Sequence, residues 1–251
     1  DEEIDGIELD VWLSKDNIPV VIHANYVDGV DGYVFFDDGS KRLVYEMTVK
    51  EIRAQKVLNG YIVPLLDEVF RLAKDRICVN VEFKGEDLNA ATEILKLCKL
   101  HDMLEQVQFS SFNWKFAEAL DSAREALNIT VRQPFGYLTE ETNITEVFTS
   151  AKPGDAITFD YAVIAVDREK FTTITKQMSD FGLRLKVYLS FSHVELHTDY
   201  DIMESFTVDT VITNEPFLMK RYFQRNTVKA IQWSSMTQII LNFFLKNISQ
   251  N

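Results

Sequence analysis

Two short stretches of the sequence place charged side chains at alternate positions of otherwise apolar segments. Glu8 and Asp10 alternate with apolar residues in "GIELDV", and Glu82 and Lys84 do so in "ICVNVEFK". Successive side chains of a β-strand point to opposite faces, so the charged residues of each segment share one face. Neighbouring carboxylates repel each other, and burying them without compensation is expensive. Three carboxylates brought together would suit a hard cation such as Mg²⁺ or Ca²⁺.

The elements that carry these residues follow a regular alternation of strands and helices. Apolar runs of strand length are separated by segments of helical period, which is typical of a parallel sheet, either doubly wound or closed as a barrel. No glycine-rich phosphate loop follows a strand, so a dinucleotide-binding or P-loop fold has no support. The predicted strands cover 6–11, 19–23, 77–84, 107–111, 128–133, 156–161, 183–191 and 208–214; the predicted helices cover 48–56, 63–74, 88–101, 115–126, 141–150, 168–181 and 201–206, and a further helix begins after Pro216.

A barrel would give the charged faces a common direction. In such a fold the apolar face of each strand packs against helices, the other face points to the axis, and the chemistry lies at the C-terminal ends of the strands. Glu8, Asp10 and Glu82 would then face one space, which predicts a cation site. Spacing alone leaves two alternatives open: the carboxylates lie exposed at an edge, or lysine and arginine side chains neutralise them.

Bulk composition restricts the class of protein. The chain has 251 residues, of which 46% are hydrophobic, and a formal net charge of −13. This charge argues against nucleic-acid binding. It also means that an anionic substrate needs a bound cation or a basic side chain near its site to attract it. No apolar run is long enough to span a membrane. The two cysteines, Cys78 and Cys98, are predicted to be buried free thiols rather than a disulfide. Three N-x-[ST] sequons, at Asn128, Asn143 and Asn247, hint weakly at secretion and leave the compartment, cytoplasmic or secreted, undecided.

The simplest organisation is a single domain over residues 1–251. Residues 25–47 interrupt the alternation directly after His23 and are predicted to form a hairpin-like insertion with a tight turn at "DDGS". Its aromatic residues Tyr33, Phe35 and Phe36 either cover a substrate or form a small core of their own. Residues 226–251 are predicted to be a helical tail.

Beyond these patterns, the sequence resembles the glycerophosphodiester phosphodiesterase family. "DGIELDVWLSKDNIPVVIH" resembles its second-strand signature, and "VPLLDEVFRLAKDRICVNVEFKG" resembles the following helix and third strand with the E-x-K motif. "VQFSSFNW" and "VDTVITNEP" resemble its fourth and eighth strands, so that the likeness runs from Asp5 to about Phe217. The resemblance implies an α/β fold of the TIM-like (β/α)₈ barrel class, in which this chain lacks the first strand and helix.

The same resemblance implies an activity and roles for five residues. The family hydrolyses glycerophosphodiesters to sn-glycerol 3-phosphate and an alcohol with one divalent cation, Mg²⁺ or Ca²⁺. Glu8, Asp10 and Glu82 would be the metal ligands, His23 would act as general acid or base, and Lys84 would bind the phosphate. A lysophospholipase D-like preference for lysophospholipid substrates, or a non-catalytic member that binds metal and phosphate, remain alternatives.

The sequence also departs from the family pattern. The family's first strand carries a His-Arg pair, and no such pair precedes Glu8 here, so we expect a truncated sequence and a barrel with two open edges. Ala24 stands where the family usually has Asp after the motif histidine, and Asn214 stands where it has Asp after the eighth strand. These changes leave the substrate preference open. His193 and His197 in "HVELH" have the spacing of a helical metal pair, although a solvated helix start is the favoured interpretation.

Overall fold

The computed structural model describes residues 4–190, 192–225 and 231–235. Its strands are β1 Gly6–Leu13, β2 Pro19–Val21, β3 Asn25–Val27, β4 Val30–Phe35, β5 Lys41–Leu43, β6 Cys78–Phe83, β7 Val107–Ser111, β8 Phe135–Thr139, β9 Ala156–Asp160, β10 Arg184–Tyr188, β11 Thr210–Thr213 and β12 Ile231–Ser235. Its α-helices are α1 Val49–Arg53, α2 Leu66–Ala73, α3 Asn89–Leu100, α4 Lys115–Ala126, α5 Val147–Ser150, α6 Tyr161–Val166, α7 Arg168–Asp180, α8 His197–Ser205 and α9 Pro216–Arg225.

Eight parallel strands form the main sheet, which confirms the predicted α/β barrel. The order β1, β6, β7, β8, β9, β10, β11 follows the sequence, and helices cross over between most of these strands. β12 pairs in parallel with β11 on one side and with β1 on the other, so the ring of pairings is continuous. The open edges expected beside β1 and β11 are therefore wrong, because β12 lies where the sequence left a gap.

The two faces of the barrel strands have different surroundings. All eight residues of β1 are buried, as expected for a parallel strand that is covered on both faces. Its odd-numbered residues, such as Leu9 and Val11, belong to the main hydrophobic core, which also contains the inner faces of α2 and α3. Its even-numbered residues Glu8 and Asp10 point to the opposite face, toward the barrel interior.

Two sequence predictions about strands were wrong or incomplete. The fifth predicted strand, 128–133, is irregular, and the strand begins instead at Phe135. Its β-branched residues suggested a strand, but Pro134 has no N–H to donate and the ladder with β7 starts beyond it, at the pair Phe109 and Phe135. The segment predicted as 19–23 forms β2, which pairs antiparallel with the end of β1.

Residues 25–47 form a separate three-stranded antiparallel sheet in the order β3, β4, β5. A short 3₁₀ helix, Val44–Glu46, follows it. This insertion sheet (β3, β4 and β5) has its own small core, which includes Val34, Phe36 and Met47 and reaches Trp12 at the end of β1. The sheet is thereby fixed to the C-terminal end of the first barrel strand.

The predicted helical tail, 226–251, differs from the structure at Ile231–Ser235, which form β12. Its other residues lie outside the described ranges. Among the described residues, no helix is long and apolar enough to cross a membrane. Cys78 in β6 and Cys98 in α3 are both free thiols, as predicted; Cys98 is buried as expected, but Cys78 is exposed.

The contact between Trp12 and Gly85 gives a test of how the insertion sheet is attached. Gly85 has φ +73°, and a Cβ atom there would lie 2.9 Å from Cζ3 of Trp12. Gly39 has φ +84° and nothing within 4 Å of a Cβ atom. We expect Gly39→Ala to lower the free energy of unfolding by about 1 kcal/mol through backbone strain alone, and Gly85→Ala to lower it by about 1–3 kcal/mol more through the added clash. Urea unfolding measures both values, and equal losses would contradict the tight packing of Trp12.

Candidate active site

Three carboxylates meet at the barrel interior on the neighbouring strands β1 and β6. Asp10 pairs directly with Glu82 across the ladder, and Glu8 pairs with Asn80 one layer below. Carboxylate oxygens of Glu8, Asp10 and Glu82 all lie within 4.8 Å of one another, and all three residues are buried. The structure therefore brings together the three acidic residues that the sequence singled out.

Lys84 neutralises part of this negative charge. Its Nζ lies 3.0 Å from Oδ1 of Asp10, and it also forms an ion pair with Glu82. One ammonium group balances only one of these two carboxylates, so the cluster keeps an excess of negative charge. Neutralisation by lysine, left open as an alternative by the sequence, is therefore present but partial.

The environment shifts the pKa values of this ion pair. Burial raises the pKa of Glu82 against the lowering effect of Lys84, and the nearby charges of Asp10 and Asp31 raise it further. Burial alone would lower the pKa of Lys84, but the ion pairs with Glu82 and Asp10 outweigh it and raise that pKa. Lys84 therefore carries its positive charge, and a second cation would stabilise the ionised form of Glu82.

Asn80 pairs with Glu8 across the β1–β6 ladder, one layer below Asp10 and Glu82. Its Nδ2 donates a hydrogen bond of 2.8 Å to Oγ of Ser110 on β7, which fixes the direction of the amide. Its Oδ1 is buried and has no hydrogen-bond partner among the described residues. A buried acceptor of this kind calls for a cation or an ordered water molecule. The three carboxylates themselves form an all-oxygen set that fits a hard divalent cation.

The backbone that precedes His23 is bonded to Asp10, whereas the His23 side chain is exposed. His23 follows β2, and the N–H of the preceding Ile22 donates a hydrogen bond of 3.0 Å to the backbone oxygen of Asp10. The imidazole ring is exposed, and it is not among the described side chains that line the adjoining cavity. The role of His23 as acid or base remains a prediction.

A cavity of about 820 Å³ opens beside Glu82 and Lys84. It lies between the C-terminal ends of β1, β6 and β7 and the insertion sheet, and the insertion supplies Tyr26, Val30 and Tyr45 to its wall. Of the aromatic residues that the sequence proposed as a cover, Phe36 is buried in the small core, and neither Tyr33 nor Phe35 is among the described residues that line the cavity. Tyr26 and Tyr45 line the cavity instead, and the sequence analysis did not single out either residue.

Other polar candidates have structural partners. Ring nitrogen Nε2 of His193 lies 2.8 Å from Oδ2 of Asp199, while His197 packs against Tyr222. The two histidines do not form a cation-ligand cluster among the described residues. Asp160 accepts a hydrogen bond from the N–H of Ala162 and caps α6. These residues stabilise loops and helix ends around the mouth of the barrel.

Comparison with known proteins agrees with this architecture. Residues 1–218 match the Glycerophosphoryl diester phosphodiesterase family, and the chain therefore belongs to that family. The resemblance noted in the sequence is confirmed, and the family is named for an enzyme that hydrolyses phosphodiesters.

Individual relatives extend the comparison. A curated glycerophosphodiester phosphodiesterase from Caldanaerobacter subterraneus subsp. tengcongensis is 38% identical over an alignment of 114 residues, and the match covers 43% of this chain and 46% of the relative. The chain thus spans about half the length of the curated relative that it matches. A glycerophosphodiester phosphodiesterase structure from Parabacteroides distasonis has TM-score 0.67 at 20% identity and covers 89% of this chain and 85% of that one. One from Agrobacterium tumefaciens has TM-score 0.63 at 20% identity and covers 86% and 87%. These two structures share the fold.

The carboxylate cluster predicts a measurable affinity for divalent cations. We expect titration calorimetry to detect binding of Mg²⁺ or Ca²⁺ to the chain, and saturation with about 100 times the Kd to stabilise the fold by about 2.7 kcal/mol. Glu82→Gln removes one charged ligand and should abolish most of this gain. Glu105→Gln, at an exposed position between α3 and β7, serves as the matched control. Equal binding by both variants would exclude Glu82 as a ligand.

Proposed function

We propose that this chain hydrolyses glycerophosphodiesters to glycerol 3-phosphate and an alcohol, with one divalent cation held by Glu8, Asp10 and Glu82. The observation that carries the proposal is the buried carboxylate cluster with Lys84 at the edge of a cavity, in a barrel of this family. An anionic substrate would otherwise be repelled by a protein of net charge −13.

In this proposal, different residues bind the phosphate and transfer the proton. A divalent cation, when bound, neutralises the charge that develops on the phosphoryl oxygens. Lys84 offers its ammonium group to the phosphate from the wall of the cavity. His23 exchanges a proton with the attacking or leaving oxygen, as histidine side chains commonly do in general acid–base catalysis. Asn80, fixed by Ser110, supports the cluster from the layer below.

Release of glycerol 3-phosphate from glycerophosphodiesters by the full chain tests the reaction directly. We expect release that requires Mg²⁺ or Ca²⁺ and stops on addition of chelator. Glu82→Gln should lower kcat/KM by about 100-fold or more, because the charge stabilisation supplied by a bound metal is worth several kcal/mol. Glu105→Gln should retain full activity. If folded protein that binds the cation releases no product from any diester, the chain is a metal- and phosphate-binding member without this activity.

A second prediction isolates the proton-transfer step. We expect His23→Asn to lower kcat by about 10²–10⁴-fold with cation binding unchanged, because general acid–base catalysis contributes that much. His197→Asn is the matched control, since His197 packs against Tyr222 near α9. Steady-state kinetics together with cation titration separates the two effects. Unchanged kcat in His23→Asn would assign proton transfer to another group.

A further inference from the structure

Four exposed apolar side chains lie at one side of the barrel mouth, on the segments that follow β9, β10 and β11. Val166 is 86% exposed, Val194 78%, Phe217 60% and Leu196 56%. The three strands are parallel neighbours in the sheet, so the segments after them emerge side by side. None of the four side chains belongs to a hydrophobic core or lines the cavity beside Glu82 in the described part of the chain. We call these four side chains the mouth patch.

The loop between β10 and α8 holds Val194 and Leu196 in this position through polar contacts. Oδ2 of Asp199 accepts a hydrogen bond of 2.8 Å from the N–H of Leu196 and lies 2.8 Å from Nε2 of His193. Oδ1 of Asp199 accepts a hydrogen bond of 2.8 Å from the hydroxyl of Tyr161, and Asp199 is buried. The loop is thus fixed without help from its apolar side chains, which leaves them free to meet a partner.

Basic side chains accompany the mouth patch. They lie in the first turn of α7, directly after Val166, and in the second turn of α9, just after Phe217. Within the described ranges, none of them forms an ion pair. These residues are Arg168, Lys170, Lys220 and Arg221. Basic groups beside exposed apolar side chains are typical of surfaces that meet anionic lipid headgroups.

Acidic residues on this side of the mouth do not cancel the basic ones. They are Asp167, Glu169 and Glu215, three against four basic residues. Oδ1 of Asp167 is also engaged in capping α7, because it accepts a hydrogen bond of 3.0 Å from the N–H of Lys170. The surroundings of the mouth patch therefore keep a small positive excess in a chain whose net charge is −13.

The opposite side of the mouth is acidic around the cavity. Asp31, Glu86 and Asp87 line the cavity and are exposed, and they outnumber Lys15 and Lys84 there. An anionic surface repels this side and attracts the basic groups beside the mouth patch, so the charge distribution orients the barrel as it approaches such a surface.

We propose that the mouth patch docks this protein on an anionic lipid membrane, on which the barrel rests with the β9–β11 side of its mouth. The four apolar side chains enter the boundary between headgroups and acyl chains, where their burial is favourable. The four basic residues lie at the lipid phosphates, and each adds an attraction that depends on salt. This inference goes beyond the proposed function and does not depend on it.

The geometry favours a lipid surface over a folded partner. The four apolar side chains stand on separate segments, and a fluid bilayer accepts them without the matched shape that a protein interface requires. A second copy of this chain would bring another net charge of −13 to the contact. Docking through the β9–β11 side also leaves the cavity beside Glu82 and Lys84 open to water, because that cavity lies between β1, β6, β7 and the insertion sheet.

Sedimentation of the full chain with lipid vesicles tests the docking surface. We expect the chain to bind phosphatidylcholine vesicles that contain about one third phosphatidylserine, and to bind pure phosphatidylcholine vesicles at least about fivefold more weakly. Raising the salt concentration from about 0.1 M to about 0.5 M should release most of the bound protein, because screening shortens the reach of the charges. Equal binding to both kinds of vesicle, or binding that resists salt, would overturn the assignment to anionic lipid.

Two pairs of variants locate the contact. Leu196→Ser should weaken binding to the anionic vesicles about fivefold or more, because it removes an apolar side chain from the lipid boundary. Leu100→Ser is the matched control, since Leu100 is 71% exposed at the end of α3, at the opposite end of the barrel. Lys170→Gln should weaken binding about fivefold, whereas Lys176→Gln, farther along the same helix, should leave it unchanged.

Circular dichroism of each variant separates lost binding from lost folding, and all four substitutions are at exposed positions. Equal binding by Leu196→Ser and Leu100→Ser would overturn the mouth patch as the docking surface, and so would a folded full chain that binds neither kind of vesicle. A dimer in size-exclusion chromatography that Leu196→Ser dissociates would assign the patch to a second copy and overturn the lipid assignment. Turnover enters none of these measurements, so their outcomes leave the proposed function to its own test.

Discussion

The structure depends on the burial of like charges on two adjacent strands. Asp10 and Glu82 face each other across the β1–β6 ladder, and Lys84 is tied to both. Removing charged groups from water is unfavourable, and a lysine that neutralises one of two carboxylates offsets only part of that unfavourable free energy. A cation bound to the cluster would neutralise the negative charge that Lys84 leaves unbalanced. A stabilising role alone would be served better by apolar residues at these positions.

One strand positions both the charge cluster and the cavity. β1 carries Asp10 into the interior and, two residues later, Trp12 against the insertion sheet. Trp12 contacts Gly85 at the end of β6 and stacks on Tyr45 of the insertion. Trp12, which supports the ring of Tyr45 in the cavity wall, therefore lies on the same strand as the candidate cation ligands Glu8 and Asp10. Sites supported by strands keep their geometry more precisely than sites on free loops.

The sequence predicted those parts that depend on local pattern. Alternation placed Glu8 and Asp10 on one face of their strand and Glu82 and Lys84 on one face of theirs, because the period of a strand is two, and the expected barrel turned both faces toward one space. It could not predict β12, since pairing of Ile231–Ser235 with β1 joins residues more than 200 positions apart. Tyr26 was missed for another reason. The ladder between β3 and β4 shifts register between Asn25 and Val27, and such an irregularity redirects side chains in a way that alternation does not foresee.

The polar interior extends below the cluster and explains how the barrel accommodates its charge. Asn80 on β6 bonds to Ser110 on β7, and Lys186 on β10 donates to Oε1 of Gln108 on β7, a contact that crosses the barrel. Burial lowers the pKa of Lys186 to about 7. Hydrogen-bonded groups of this kind are fixed before any ligand arrives, and their fields act strongly where the dielectric is low. The candidate site therefore rests on a preorganised layer of polar side chains.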